Sequence, residues 1–202
     1  MSSSRIGAII IGLFSLISFS LFAADIEAGK TKSALCAGCH GADGNSVNAV
    51  WPKLAGQHAG YLVKQLREFK NAMRNDPVMT GIVAAVSDED MVDIAAYFSS
   101  QEIKPGAFNA DLVAAGESIY RGGVTDSSIP ACLGCHSPSG DGNGPAAFPS
   151  LKNQHPEYLV IQLKKFRDGS RSNDSGKMMQ NVAKRMTDSE MEAVAAYIAG
   201  MK

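Results

Sequence analysis

Two pentapeptides constrain this chain more than anything else in it. CAGCH at residues 36–40 and CLGCH at residues 132–136 each place two cysteines and a histidine within five positions. Together they hold all four cysteines, so none is left for a separate disulfide framework. Local Cys-x-x-Cys disulfides would close loops too small to restrict the unfolded chain much. A thioredoxin-like redox site wants one such motif in a βαβ setting, which the pattern lacks. A zinc site could use both Cys pairs but gives no reason for a histidine after each. Covalent haem attachment uses every residue. The thiols of Cys36 and Cys39, and of Cys132 and Cys135, add across the two vinyl groups of a haem, and His40 or His136 then lies under the iron as an axial ligand. Two motifs predict two haem c groups.

Such attachment belongs outside the cytoplasm, and the N-terminus agrees. Residues 1–24 read as an export signal: Arg5 supplies a positive charge, an apolar run of 17 residues follows from Ile6 to Phe22, and the small residues Ala23 and Ala24 close it. Cleavage there leaves Leu21 or Phe22 where a small residue is preferred, so an uncleaved anchor is the alternative, with a run at the short end for spanning a bilayer. The remaining composition, 45% hydrophobic and 19% charged in 202 residues, suits one large domain or two small ones. A formal net charge of -1 gives no basic surface for nucleic acid.

An internal repeat favours two domains. Cys36 aligns with Cys132 at an offset of 96, "WPKLAGQHAGYLVKQLREF" from Trp51 with "FPSLKNQHPEYLVIQLKKF" from Phe148 at 97, and "MTGIVAAVSDEDMVDIAAYF" from Met79 with "MQNVAKRMTDSEMEAVAAYI" from Met179 at 100. The segment "SSQEIKPGAFNA" between the copies, with Pro105 and Gly106, reads as the linker. The expected units are residues 25–104 and 105–202.

Each unit reads as all-α. Leu62, Leu66 and Phe69, and their counterparts Leu159, Leu163 and Phe166, fall at helical spacing, with Pro156 suited to a first turn. Ser87 with Asp90, and Thr187 with Glu190, have capping-box spacing ahead of the stripes Met91, Ile94, Ala95, Phe98 and Met191, Val194, Ala195, Ile198. No alternating strand pattern stands out. Copies of this size have thin cores, so a buried haem would form a large part of each.

The second axial ligand decides what the iron can do, since a thioether opposite histidine closes the site and raises the potential. Met79 and Met179 occupy equal positions in the repeat, each eight residues before a helix cap, in what reads as a loop able to fold over the haem. Met178 pairs with Val78 and so lacks an equivalent, while Met91 and Met191 sit on helix stripes and read as packing. His58 and His155 are the rival pair, expected to face solvent or the helix end; as ligands they would lower the potential. An axial histidine usually donates its other ring N–H to a carbonyl. Pro52 and Pro149, after the Gly-rich loops, are candidates for that carbonyl, with an ordinary turn proline as the alternative. Arg74 and Arg171, or Tyr61 and Tyr158, could hold haem propionates, the alternative being a solvated helix face.

The doubled CAGCHGADGNS and CLGCHSPSGDGNG, the WPKLAGQ and FPSLKNQ segments and the block from Met79 resemble the dihaem cytochrome c4 family over nearly all of the chain after residue 24. The resemblance implies a tandem pair of cytochrome c-like helical domains about an approximate two-fold axis, each wrapped around a covalent haem c, the haems facing one another. It implies His40 with Met79, and His136 with Met179, as axial iron ligands, with the Pro52 and Pro149 carbonyls accepting from the histidines. It further implies a periplasmic electron carrier, often loosely held at the inner membrane, taking electrons from a quinol-oxidising complex and passing them towards haem-copper terminal oxidases. The longer RGGVTDSSIP before Cys132 is expected to shield the second haem differently.

Electron transfer without bond formation to a substrate is thus the expected activity. Residues 24–105 hold 8 basic and 10 acidic side chains and residues 106–202 hold 10 of each, too small an asymmetry to name a partner across a screening length of about 8 Å. Two alternatives are the cytochrome subunit of a flavocytochrome sulfide dehydrogenase, and a dihaem redox enzyme acting on peroxide or thiosulfate. The latter needs an accessible iron or an unusual ligand on one haem.

Overall fold

The computed structural model describes residues 24–202, so all of the expected export signal except Ala24 lies outside the described residues. Among the described residues ten helices run α1 (Ile26–Lys32), α2 (Ala34–His40), α3 (Ala59–Lys70), α4 (Pro77–Val83), α5 (Asp88–Ser99), α6 (Val113–Gly122), α7 (Leu133–His136), α8 (Pro156–Asp168), α9 (Met178–Ala183) and α10 (Asp188–Ala199). Two 3₁₀ turns precede α6 and α9. Strand-like pairing among these residues is confined to two isolated bridges, Val124 with Ile129 and Asn143 with Phe148. The all-α reading holds among these residues.

Each half repeats one plan. Both capping boxes form: the Ser87 hydroxyl accepts from Asp90 N at 3.0 Å and the Thr187 hydroxyl from Glu190 N at 3.3 Å, while Asp90 and Glu190 accept back from the cap backbones. Acidic side chains in the first turns of α5 and α10 suit the positive ends of the helix dipoles. Met91, Ile94, Ala95 and Phe98 then point inward, as do Met191, Val194, Ala195 and Ile198. Replacing Ser87 or Thr187 with alanine should cost about 1 kcal/mol each in denaturant unfolding, with no change in reduction potential.

Two separate cores result. Leu62, Phe69, Val83, Val86, Met91, Ile94, Ala95, Tyr97 and Phe98 make the first, and Tyr120, Leu159, Phe166, Met186, Met191, Val194 and Ile198 are prominent in the second. Helix α1 packs on α5, and α6 on α10. These crossings need glycine. A Cβ on Gly29 would collide with the Asp93 carbonyl oxygen, and one on Gly116 with that of Ala193. The sequence reading assigned neither α1 nor α6. The extra RGGVTDSSIP segment closes as a short loop between Val124 and Ile129, with Ile129 buried in the second core.

Candidate haem sites

Helix α2 ends on His40 and α7 on His136, each followed by a positive-φ residue, Gly41 and Ser137. Both imidazoles are buried. His40 Nδ1 lies 2.9 Å from the Pro52 carbonyl oxygen, and His136 Nδ1 lies 3.1 Å from that of Pro149. Burial pushes both imidazoles below their ordinary pKa against the upward pull of those carbonyls. A neutral ring with its proton on Nδ1 donates to the proline oxygen and leaves the Nε2 lone pair free. Among the described residues, neither Nε2 takes part in a hydrogen bond.

No disulfide joins the four cysteines. Cys36 packs against the first core and Cys132 against the second, so the pairs sit in separate halves and do not converge on one metal. Burial pushes both thiols up to about 11, with the neighbouring Cys39 or Cys135 adding to it. That is the reverse of the depressed thiol of a redox-active Cys-x-x-Cys.

Met79 and Met179 are both partly buried against the core of their own half. They occupy short helices and not the expected loop. The Asp76 carboxylate caps α4 by accepting from Met79 N at 3.2 Å, and Pro77 takes the first helical position. Asp174 holds α9 through Gln180 N and its side-chain amide. Met178 is 43% exposed, as is its counterpart Val78 at 65%, so the structure separates Met179 from its neighbour. Met91 and Met191 are wholly buried.

His58 and His155, expected to face solvent or a helix end, instead cross between the halves. His58 Nε2 lies 2.7 Å from the Asp141 carbonyl, and His155 Nε2 lies 2.9 Å from the Ser46 carbonyl and 3.0 Å from its hydroxyl. Their partners lie in the Gly-rich loop of the opposite half, so each Nε2 is already engaged across the interface.

The same interface corrects the solvated-face alternative for the arginines. Arg74 reaches Tyr158 Oη at 3.1 Å, Gln162 at 3.0 Å and Gln65 at 2.7 Å; Arg171 reaches Tyr61 Oη at 2.9 Å, Gln65 at 3.3 Å and Gln162 at 2.9 Å. Each guanidinium also lies over a phenylalanine of its own half, Arg74 at 4.6 Å from the Phe69 centroid and Arg171 at 4.4 Å from that of Phe166. Both are buried, and among the described residues no carboxylate is within ion-pair distance of either. Two buried cations whose direct hydrogen-bond partners are neutral suit an added anion. Haem supplies two carboxylates. With a free Nε2, a packed thioether and two thiols in each half, the residues present fit haem c.

The sequence profile of the cytochrome c family matches residues 26–102 and again 113–202. The cytochrome c4 of Pseudomonas aeruginosa is 47% identical over 180 residues, covering 89% of this chain and 90% of that one. The crystal structure of reduced recombinant cytochrome c4 from Pseudomonas stutzeri superimposes with a TM-score of 0.86 at 44% identity, covering 89% of this chain and all of that one. This chain belongs to the dihaem cytochrome c4 family. As a cytochrome c4 it carries two covalently bound haem c groups and transfers electrons, and it is not an enzyme. A further relative, the thiosulfate dehydrogenase electron acceptor of Stutzerimonas stutzeri, is 39% identical over 196 residues, covering 92% of this chain and 90% of that one.

Sequence reasoning missed one pair at the interface between the halves, Gln57 and Gln154. Both are buried, and each side-chain amide binds the backbone of the opposite half. Their matched places in WPKLAGQ and FPSLKNQ were the available signal.

Proposed function

We propose that this chain is a periplasmic shuttle in which residues 25–104 and 105–202 each enclose one haem capped on both faces by its own half. Cys36, Cys39, Cys132 and Cys135 form the thioethers, His40 and His136 are the first axial ligands, and Met79 and Met179 are the second. Pro52 and Pro149 hold the histidine rings. Attached haem supplies an iron that exchanges one electron between ferric and ferrous states. The polypeptide fixes the ring orientation, withholds open coordination positions, and sets the two halves against each other through the Arg74 and Arg171 network, whose charge suits haem propionates.

The observation that carries this reading is the twinned arrangement itself. Both halves place a buried neutral imidazole with its Nδ1 engaged and its Nε2 free, and both bring a core-packed methionine from a capped short helix. Residues 1–24 serve as the export signal in this reading. The partners are a quinol-oxidising complex as donor and a haem-copper terminal oxidase as acceptor, with loose association at the inner membrane. Among the described residues no helix is long and apolar enough to cross a membrane.

A ferric near-infrared spectrum combined with a redox titration tests the ligation. Two haems per chain, a sulfur-to-iron charge-transfer band accounting for both, and high potentials are expected; a band for one haem only would defeat the symmetric ligand set. The likeness to a thiosulfate dehydrogenase electron acceptor favours a second donor, and stopped-flow reduction by a thiosulfate dehydrogenase against a quinol-oxidising complex ranks the two.

A further inference from the structure

The interface contains a second device, repeated in both directions. Gln154, from the second half, accepts from Lys53 N at 2.9 Å and donates to the Lys53 carbonyl at 2.8 Å. Gln57, from the first half, accepts from Ser150 N at 2.9 Å and donates to the Ser150 carbonyl at 2.8 Å. In each case the amide is oriented by having an N–H on one side and a carbonyl on the other, and its oxygen also accepts from the following residue's N–H, His155 or His58, at 3.0 Å. Lys53 and Ser150 directly follow Pro52 and Pro149. The N–H that each glutamine binds therefore belongs to the same peptide group whose carbonyl accepts from His40 or His136.

A peptide group that donates through its N–H becomes a stronger acceptor at its carbonyl, by about 10–30% per bond in a chain of hydrogen bonds. A stronger acceptor at Nδ1 makes the imidazole more electron-rich at Nε2, which favours the more highly charged metal. We propose that the two glutamines act crosswise as positioning residues: Gln154 of the second half sets the basicity of His40 and lowers the potential of the first haem, and Gln57 of the first half does the same through His136 for the second. The inference rests on His40 and His136 being the axial ligands. It gives domain docking a direct effect on each haem, carried by one peptide plane per half and by no contact with the haem itself.

The test uses the full holoprotein with each haem's potential followed through its own NMR resonances. Gln154→Leu removes the acceptor from Lys53 N. The first haem's reduction equilibrium constant should rise about twofold to threefold, or about 20–30 mV at about 59 mV per tenfold for one electron, with the second haem moving less. The His40 Nδ1–H resonance should move upfield as its bond weakens. Gln154→Met removes the same acceptor with a side chain of nearly the same shape and should shift the first haem in the same direction; it serves as the test if the leucine variant fails to mature. Gln57→Leu should produce the mirror result at the second haem. A first haem that does not respond to either Gln154 variant, or a second haem that responds more, overturns the proposal. Ligation is read separately in the unmodified ferrous protein. Strong ring-current shifts on the His40 and His136 ring protons are required by the site reading, so their absence defeats that reading, while their presence with unmoved potentials defeats only the crosswise coupling.

Discussion

Met79→Ala should remove half of the sulfur-to-iron charge-transfer band, lower one haem's potential by well over tenfold in equilibrium constant, and let the reduced protein bind carbon monoxide at that haem alone. Met179→Ala should do the same to the other. The argument starts from chemistry: a thioether opposite imidazole is a soft donor that favours ferrous iron, and its loss opens a coordination position. It then depends on which methionine is poised to ligate. Met79 and Met179 are held against the two cores by short helices, whose registers are set by Asp76 and Asp174. Two controls separate ligation from packing. Met178→Ala, one residue away and 43% exposed, should leave spectrum and potential unchanged. Met191→Ala, wholly buried, should cost about 2–5 kcal/mol of stability while keeping the charge-transfer band. A Met79→Ala protein with an intact band for both haems would end the proposed ligand set.

What the sequence could and could not reveal follows from the range of the interactions. Capping boxes and helix stripes are local patterns, and the helices they imply are present. Helices α4 and α9 are harder to read. PVMTGIV carries Pro77, Gly81 and β-branched residues, and MMQNVA is six residues long, so neither has a period or propensity that announces a helix. What holds them is packing on the core and a carboxylate just upstream, Asp76 at the N-cap of α4 and Asp174 before α9. Helices α1 and α6 are masked by Gly29 and Gly116, which weaken the helix signal yet are the residues that let each helix approach its partner. The interface was the least legible. Gln57, His58, Arg74 and their counterparts read locally as polar residues before or after a helix. Their partners lie in the other half, roughly a hundred positions away, where no short-range pattern reaches. Repeat symmetry pointed to the pairs without saying what each pair touches.

The two glycines at the helix crossings should differ in consequence even though their local geometry is the same. A methyl on Gly29 meets the Asp93 carbonyl, and one on Gly116 meets that of Ala193, so alanine must push α1 or α6 away from its partner helix. Helix α1 has only Gly29 buried, and its remaining ties to α5 are polar: Asp25 N to the Asp93 carboxylate at 2.8 Å, and Lys32 to Asp90 at 2.6 Å and to Asp93 at 2.8 Å. Lys32 is a third exposed on a flexible side chain, so these bonds can follow a small shift at little cost. Helix α6 by contrast buries Ile119 and Tyr120, the latter completely, and Tyr120 Oη donates to the Ser137 carbonyl at 2.7 Å, directly after His136. Moving α6 therefore opens the second core and loosens the residue that follows the haem-binding histidine. Gly116→Ala should cost about 3 kcal/mol in denaturant unfolding of the reduced holoprotein and disturb the spectrum of the second haem, while Gly29→Ala should cost about 1 kcal/mol and leave both spectra intact. Equal losses, or a larger one at Gly29, would mean that the polar ties of α1 and not the buried side chains of α6 govern how firmly these helices are held.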